Sequence, residues 1–155
     1  MISLDAKVVN IVHGKNFKFV NPCNLYGCTF GNDVFVGPFV EIQKGVTVGN
    51  RTKIQSHSFV CELVEIGSDC FIGHGVMFIN DLFKDGSPAG GDSSKWKRTR
   101  VNNNVSIGSN ATILPVQICD GAVIGAGSVV VKDITAPGIY AGNPATLIRD
   151  INVNR

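Results

Sequence analysis

The sequence predicts an all-β fold: short parallel strands wound into a triangular prism, with one loop extruded at about residues 80–100. Three observations carry this. Every sixth residue from Phe30 is apolar: Phe30, Val36, Ile42, Val48, Ile54, Val60, Ile66, Ile72 and Phe78. Glycine follows directly at Gly31, Gly37, Gly49, Gly67 and Gly73. Four residues after each apolar position stands a small or β-branched residue: Val34, Val40, Val46, Thr52, Ser58, Val64, Cys70 and Val76. A six-residue period fits neither a helix nor simple strand alternation. It fits short strands joined by tight turns, where glycine tolerates positive φ. Three strands close one coil of eighteen residues, and coils stack about 4.8 Å apart around the sixth-residue ladder.

In chain order, "MISLDAKVV" lacks the charged start and long apolar region of a signal peptide. Phe19 and Leu25 lead into the count with one shortened step. The regular run ends at "FINDLFKDGSPAGGDSSKWKR", residues 78–98. Its glycines, serines and proline read as a loop, and loops longer than about 15 residues in compact domains are usually functional or disordered. Trp96 between Lys95 and Lys97 suggests an anchored flap that packs on a neighbouring subunit and helps cover a substrate. The count resumes at Val101, Ile107 and Ile113, slips by one, and continues at Ile118, Ile124 and Val130. "PATLIRDINVNR" predicts a short terminal helix or strand. Residues 1–155 are read as one complete domain.

Composition narrows the function. The chain is 44% hydrophobic and 17% charged, enough for a packed core. A formal net charge of +2, with "KWKR" as the densest basic cluster, gives no footing for nucleic acid. No apolar run has the length of a membrane span, so the expectation is a cytoplasmic protein. Cys23, Cys28, Cys61, Cys70 and Cys119 form no C-x-x-C pair and read as free buried thiols.

Candidate chemistry sits at the break. Residues eighteen apart stack on one face, so Lys44, Glu62 and Asn80 form an outward polar ladder, with Asp81 beside it. A carboxylate beside a carboxamide can hold and orient a substrate amine. His57 and His74, seventeen apart at turn positions, are candidates for a base or a substrate contact. Two histidines alone are too few for a metal site, so none is expected.

"IGSDCFIGHGV", "VSIGSNATILP", "AVIGAGSVVVKDI" and "PGIYAGNPA" resemble the hexapeptide-repeat acyltransferases across about residues 20–148. That resemblance implies a left-handed parallel β-helix, a homotrimer with sites between subunits, and acetyl-CoA as co-substrate. The run from "NPCNLYGCTF" to "FIGHGVMFIND" is similar to the branch that N-acetylates the 3-amino group of nucleotide-linked sugars for O-antigen or S-layer glycans. Members usually carry Pro-Arg shortly after "FINDLF"; here Lys84-Asp85 follows. A dTDP-3-amino-3,6-dideoxyhexose is favoured over a UDP-linked 3-amino uronic acid derivative. The resemblance further implies that Ser109, Ala111, Ala126 and Gly127 line the path of the CoA arm, with Lys132 and Arg149 meeting its phosphates. Two alternatives stay open: a non-catalytic assembly module, and a γ-class carbonic anhydrase, which would need His13 as a third ligand.

Overall fold

The computed structural model describes residues 7–151; residues 1–6 and 152–155, the ends of the expected domain, lie outside it. Strands mostly two or three residues long form three sheets of seven, six and eight strands. Each sheet is one face of a prism. Face 1 runs from Val8–Val9 through Glu41–Ile42, Phe59–Val60 and Met77–Phe78 to Val129–Val130. Face 2 runs from Val12–His13 through Val64–Ile66 and Thr99–Val101 to Gln117–Ile118. Face 3 starts at Lys18–Phe19 and ends with Gly138–Gly142 and Ala145–Asp150. Neighbours on a face are three strands apart in sequence through most of the chain, which generates about seven coils. The fold is the left-handed parallel β-helix. Only the last pairing is antiparallel: Ala145–Asp150 turns back along Gly138–Gly142, so the terminal segment is a strand and not a helix.

Register sets the position of everything else. Glu41 pairs with Phe59 and Lys53 with Phe71, eighteen residues on in each case. Across the loop, Glu65 pairs with Arg100 and Phe71 with Ser106, thirty-five on. After it the step is seventeen, as in Arg100 with Gln117. The loop therefore leaves and re-enters without disturbing the stack. It ends at Arg98, because Thr99–Val101 already belongs to face 2.

Two ladders fill the core. Val36, Ile42, Ile54, Val60, Ile72 and Phe78 are wholly buried in the strands. Val34, Val40, Val46, Thr52, Ser58 and Val76 are buried at the corners. The two hydroxyls among them are satisfied: Thr52 Oγ1 donates to Gly67 O (2.8 Å) and Ser58 Oγ to Gly73 O (2.9 Å). Phe19 departs from expectation. It stacks on Val36, but it lies in the first coil and is exposed, while Phe17 turns in and stacks on Phe30 at 4.4 Å.

The repeated glycines have a different cause from the one the sequence suggests. None of Gly31, Gly37, Gly49, Gly67 and Gly73 has positive φ; a Cβ on each would collide with the next coil, as at Gly67, where Asn102 C lies 2.7 Å away. Positive φ falls two residues further on, at Asp33, Phe39, Arg51, Asp69 and Gly75. The glycines permit close approach of coils, and mainly non-glycine residues make the left-handed turn.

The corner between faces 2 and 3 carries a polar ladder that sequence reading missed. Asn32 Oδ1 accepts from Lys15 N, Asn50 Oδ1 from Asn32 N, Ser68 Oγ from Asn50 N, Asn103 Oδ1 from Ser68 N and Asp120 Oδ1 from Asn103 N, all at 2.7–3.0 Å. Each coil's side chain satisfies a turn amide of the coil before it. The five thiols are free, and all but half-buried Cys119 are buried. Burial pushes Cys28 up to about 11 and Cys61 to about 12.

Candidate active site

The corner between faces 1 and 2 holds the predicted ladder. Lys44 Nζ lies 3.6 Å from Glu62 Oε1, and Asn80 Nδ2 donates to Glu62 O at 3.2 Å. Below them the network continues. Gln43 Nε2 donates to Glu41 Oε1 at 3.2 Å, and Gln43 Oε1 accepts from Glu62 N at 3.2 Å. Tyr26 OH reaches Glu41 Oε1 at 3.5 Å, and burial, then the Glu41 carboxylate, pushes its phenol up. Glu62 is thus held through its N–H, its carbonyl and its carboxylate. The side chain of Glu62 is 20% exposed, that of Lys44 68%. Asn80 Oδ1 has no partner among the described residues, so it can accept from a substrate N–H.

Asp81 stands beside the ladder as expected, at the mouth of the loop, but its carboxylate is taken up by loop amides. Its Oδ1 accepts from Phe83 N (3.0 Å) and its Oδ2 from Ala89 N (2.7 Å). The carboxylate ties the neck of the loop, while Asn80 O accepts from Lys97 N (2.8 Å) at the loop's return. Lys95 and Asp85 pair at 3.1 Å, and Asp92 caps a short 3₁₀ turn, Ser93–Lys95. The loop is therefore folded upon itself, with Leu82 and half-buried Trp96 near its two ends. Phe83, whose N–H is bonded to Asp81, adopts φ 48° and is 56% exposed.

His57 and His74 lie elsewhere, on the corner between faces 3 and 1. Backbone bonds there run from His57 N to Pro38 O, Gly75 N to Ser56 O, Asn110 N to His74 O and Gly127 N to Ser109 O. His74, Ser109 and Ala126 thus form one column; His57, Gly75, Asn110 and Gly127 form the next. His57 adopts φ 64° and stacks on Phe39 at 4.8 Å. The predicted set is split: face 1 separates this corner from Glu62 and Asn80. Six residues of extended chain join His74 to Asn80, about 20 Å at most.

The residues assigned to CoA are also divided. Ser109, Ala126 and Gly127 share the histidine corner, and a Cβ added at Gly127 would meet nothing within 4 Å. Ala111 does not belong to it: its side chain is wholly buried in the core ladder, above Val76. Lys132 follows the last face 1 strand, and Arg149 sits on the return strand of face 3, paired with Ile139. The two cations therefore stand on different parts of the surface. His13 is in the first coil on face 2, stacked on Phe17 at 5.4 Å, apart from the other histidines. No group of three His, Cys, Asp or Glu side chains that could hold a metal occurs among the described residues. Nor does any helix among them have the length and apolarity to cross a membrane.

Two family models match. Bacterial transferase hexapeptide (six repeats) covers residues 27–62, and hexapeptide repeat of succinyl-transferase covers residues 98–132. Both matched segments carry the hexapeptide repeats that these transferase models describe. It is 38% identical over 116 residues to the bifunctional protein GlmU of Rubrobacter xylanophilus, covering 74% of this chain and 22% of that protein. The GlmU of Acetivibrio thermocellus is 29% identical over 134 residues, covering 86% and 26%. The chain thus spans about a quarter of the length of these relatives. Among solved structures, a mutant of AntD, an N-acyltransferase from Bacillus cereus in complex with dTDP and coenzyme A, superposes with a TM-score of 0.74 at 22% identity, over 93% of this chain and 85% of that one. The polySia-specific acetyltransferase NeuO gives 0.61 at 28% identity, over 96% and 86%. A mutant perosamine N-acetyltransferase from Caulobacter crescentus, with CoA and GDP-perosamine, gives 0.63 at 19% identity, over 90% and 58%.

Proposed function

We propose that this protein is an acetyl-CoA-dependent acyltransferase that acetylates the amine of a nucleotide-linked amino sugar. The favoured acceptor is the 3-amino group of a dTDP-3-amino-3,6-dideoxyhexose; a UDP-linked 3-amino uronic acid derivative is the second candidate. The observation that carries the reading is the corner of Glu62 and Asn80. There a held carboxylate and a carboxamide oxygen with no described partner sit at the root of the one long loop. The likeness to N-acyltransferases solved with CoA and with dTDP or GDP-perosamine supports it.

In this reading Asn80 Oδ1 accepts an N–H of the neutral amine and aims its lone pair at the thioester carbon. The C–N bond forms, the C–S bond breaks, and the proton lost by nitrogen goes to the departing thiolate. Ser109, Ala126 and Gly127 hold the acyl donor along the opposite edge of face 1. His57 and His74 line that edge as substrate contacts. A cyclic homotrimer joins the two edges, one copy supplying the sugar corner and its neighbour the donor corner. Soluble glycan-precursor synthesis in the cytoplasm is the setting this chemistry fits.

The test is thiol release from acetyl-CoA, followed by absorbance, against a panel of dTDP-, UDP- and GDP-linked 3-amino and 4-amino sugars. Release with a 3-amino sugar is the expected result. A trimer that acetylates no member of the panel would overturn the proposal.

A further inference from the structure

Face 2 carries shallow hollows that run into one another along the prism. One of about 240 Å³ lies between Glu65, Arg100 and Asn102; the next, about 300 Å³, lies between Arg98, Arg100 and Gln117. A third, about 230 Å³, continues from Gln117 to Thr135. Arg100 joins the first two, and Gln117 the second and third. The result is a groove suited to an elongated ligand, with two arginines at its middle.

We propose that Arg98 and Arg100 hold the diphosphate of the nucleotide-linked substrate in this groove. The inference rests on the acyl-acceptor reading above and adds the part of the site that reads the nucleotide end. Arg100 stacks directly on Glu65 in register. Glu65 Oε1 accepts from Arg98 Nη1, and Oε2 accepts from Arg100 Nε (3.0 Å) and lies 2.9 Å from Arg100 Nη2 as an ion pair. Two guanidinium groups share one carboxylate, which leaves a net positive charge. Arg98 Nε and Nη2 and Arg100 Nη1 have no acceptor among the described residues. The side chains stay 57% and 52% exposed. Asp133, a second carboxylate, lines the second and third hollows with its Oδ1 accepting from Gln117 N at 2.8 Å, so the net positive charge belongs to the Arg98–Glu65–Arg100 cluster and not to the whole groove.

An exposed cluster of this kind contributes little to stability. It does fix two long side chains before a ligand arrives, which lowers the ordering cost of binding. Forked N–H donors on neighbouring guanidinium groups match the oxygens of a diphosphate. Position supports the assignment. Arg98 follows Lys97, whose N–H is bonded to Asn80 O, so the arginines begin where the loop returns to the sugar corner. A sugar amine at Asn80 and a diphosphate at the arginines lie on either side of one corner, and the nucleoside continues along face 2.

CoA also carries a diphosphate, so the experiment separates the two sources. Calorimetric binding is measured for the wild type, Arg98→Gln, Arg100→Gln and the double variant. The probes are dTDP, UDP, GDP, CoA and inorganic pyrophosphate. Each single change is expected to weaken the preferred nucleoside diphosphate about tenfold or more, the size of one lost charge-assisted hydrogen bond. CoA affinity and melting temperature should not move. Pyrophosphate should compete with the nucleotide in the wild type and lose that competition in the double variant. Nucleotide binding that survives both changes overturns this inference and leaves the acyltransferase reading standing. Weakened CoA with unchanged nucleotide overturns the assignment in favour of the acyl donor. A wild type that binds CoA but no nucleoside diphosphate overturns both.

Discussion

At the corner between faces 2 and 3, the side-chain oxygens of Asn32, Asn50, Ser68, Asn103 and Asp120 each accept a turn N–H from the coil before. At the corner between faces 1 and 2, the equivalent column holds Lys44, Glu62 and Asn80, and Asn80 Oδ1 meets no described partner. The same six-residue count builds both. At the first corner each of these oxygens is taken by a backbone N–H, whereas at the second the carboxamide oxygen of Asn80 is not. Every buried side-chain polar atom among the described residues is paired, so Asn80 Oδ1, which has no partner, is open to solvent and available as an acceptor. Polarity by itself does not separate the two corners; what each group is bonded to does.

The sharpest way to break this comparison is Asn80→Ala. It removes one bond to Glu62 O, so stability should fall by no more than about 1 kcal/mol. Turnover should fall about 100-fold, the scale of losing substrate orientation. Equal activity in variant and wild type would remove Asn80 from the site. On the structural corner the expected pattern reverses. Gly67→Ala places a methyl 2.7 Å from Asn102 backbone atoms, and overpacking of this kind costs about 1–3 kcal/mol. Thermal unfolding would register it, while the KM values of the surviving folded enzyme stay as they were. Asn50→Ala is the mildest test. Loss of its bond to Asn32 N should lower stability by about 1 kcal/mol and leave turnover alone. A fall in turnover at Asn50 comparable to that at Asn80 would erase the distinction between the corners.

The fold was legible because burial repeats at a fixed spacing. Phe30 to Phe78 could be counted without knowing any contact, and the stacking of Lys44, Glu62 and Asn80 followed from the same count. Causes that depend on the neighbouring coil were not legible. The glycines after each apolar residue suggested turns, yet the structure uses them for close approach, which only the stacked backbone reveals. Ala111 looked like a small residue lining a ligand path and is a core residue, because it falls four places after Ile107 in the second buried ladder. That ladder was visible in Val34 to Val76, and extending it past the loop would have placed Ala111 inside. Asp81 looked like a substrate contact because it follows Asn80; its two oxygens instead hold the loop's own amides. The division of His57 and His74 from Glu62 and Asn80 follows from assigning each to a corner, six residues being one face. Arg98 stood in the sequence as the end of the short basic cluster "KWKR" and Arg100 was not singled out; the register with Glu65 brings the two together.

The loop leaves the prism after face 1 and returns to face 2 with Val64 still paired to Thr99 and Ile66 to Val101. Its length and composition are therefore uncoupled from the ladder that supplies the cohesion of the molecule. A lineage can lengthen, shorten or rewrite that segment while the stack beneath goes on counting in sixes. Heritable variation then has an address in the chain at which change leaves the scaffold's foldability intact.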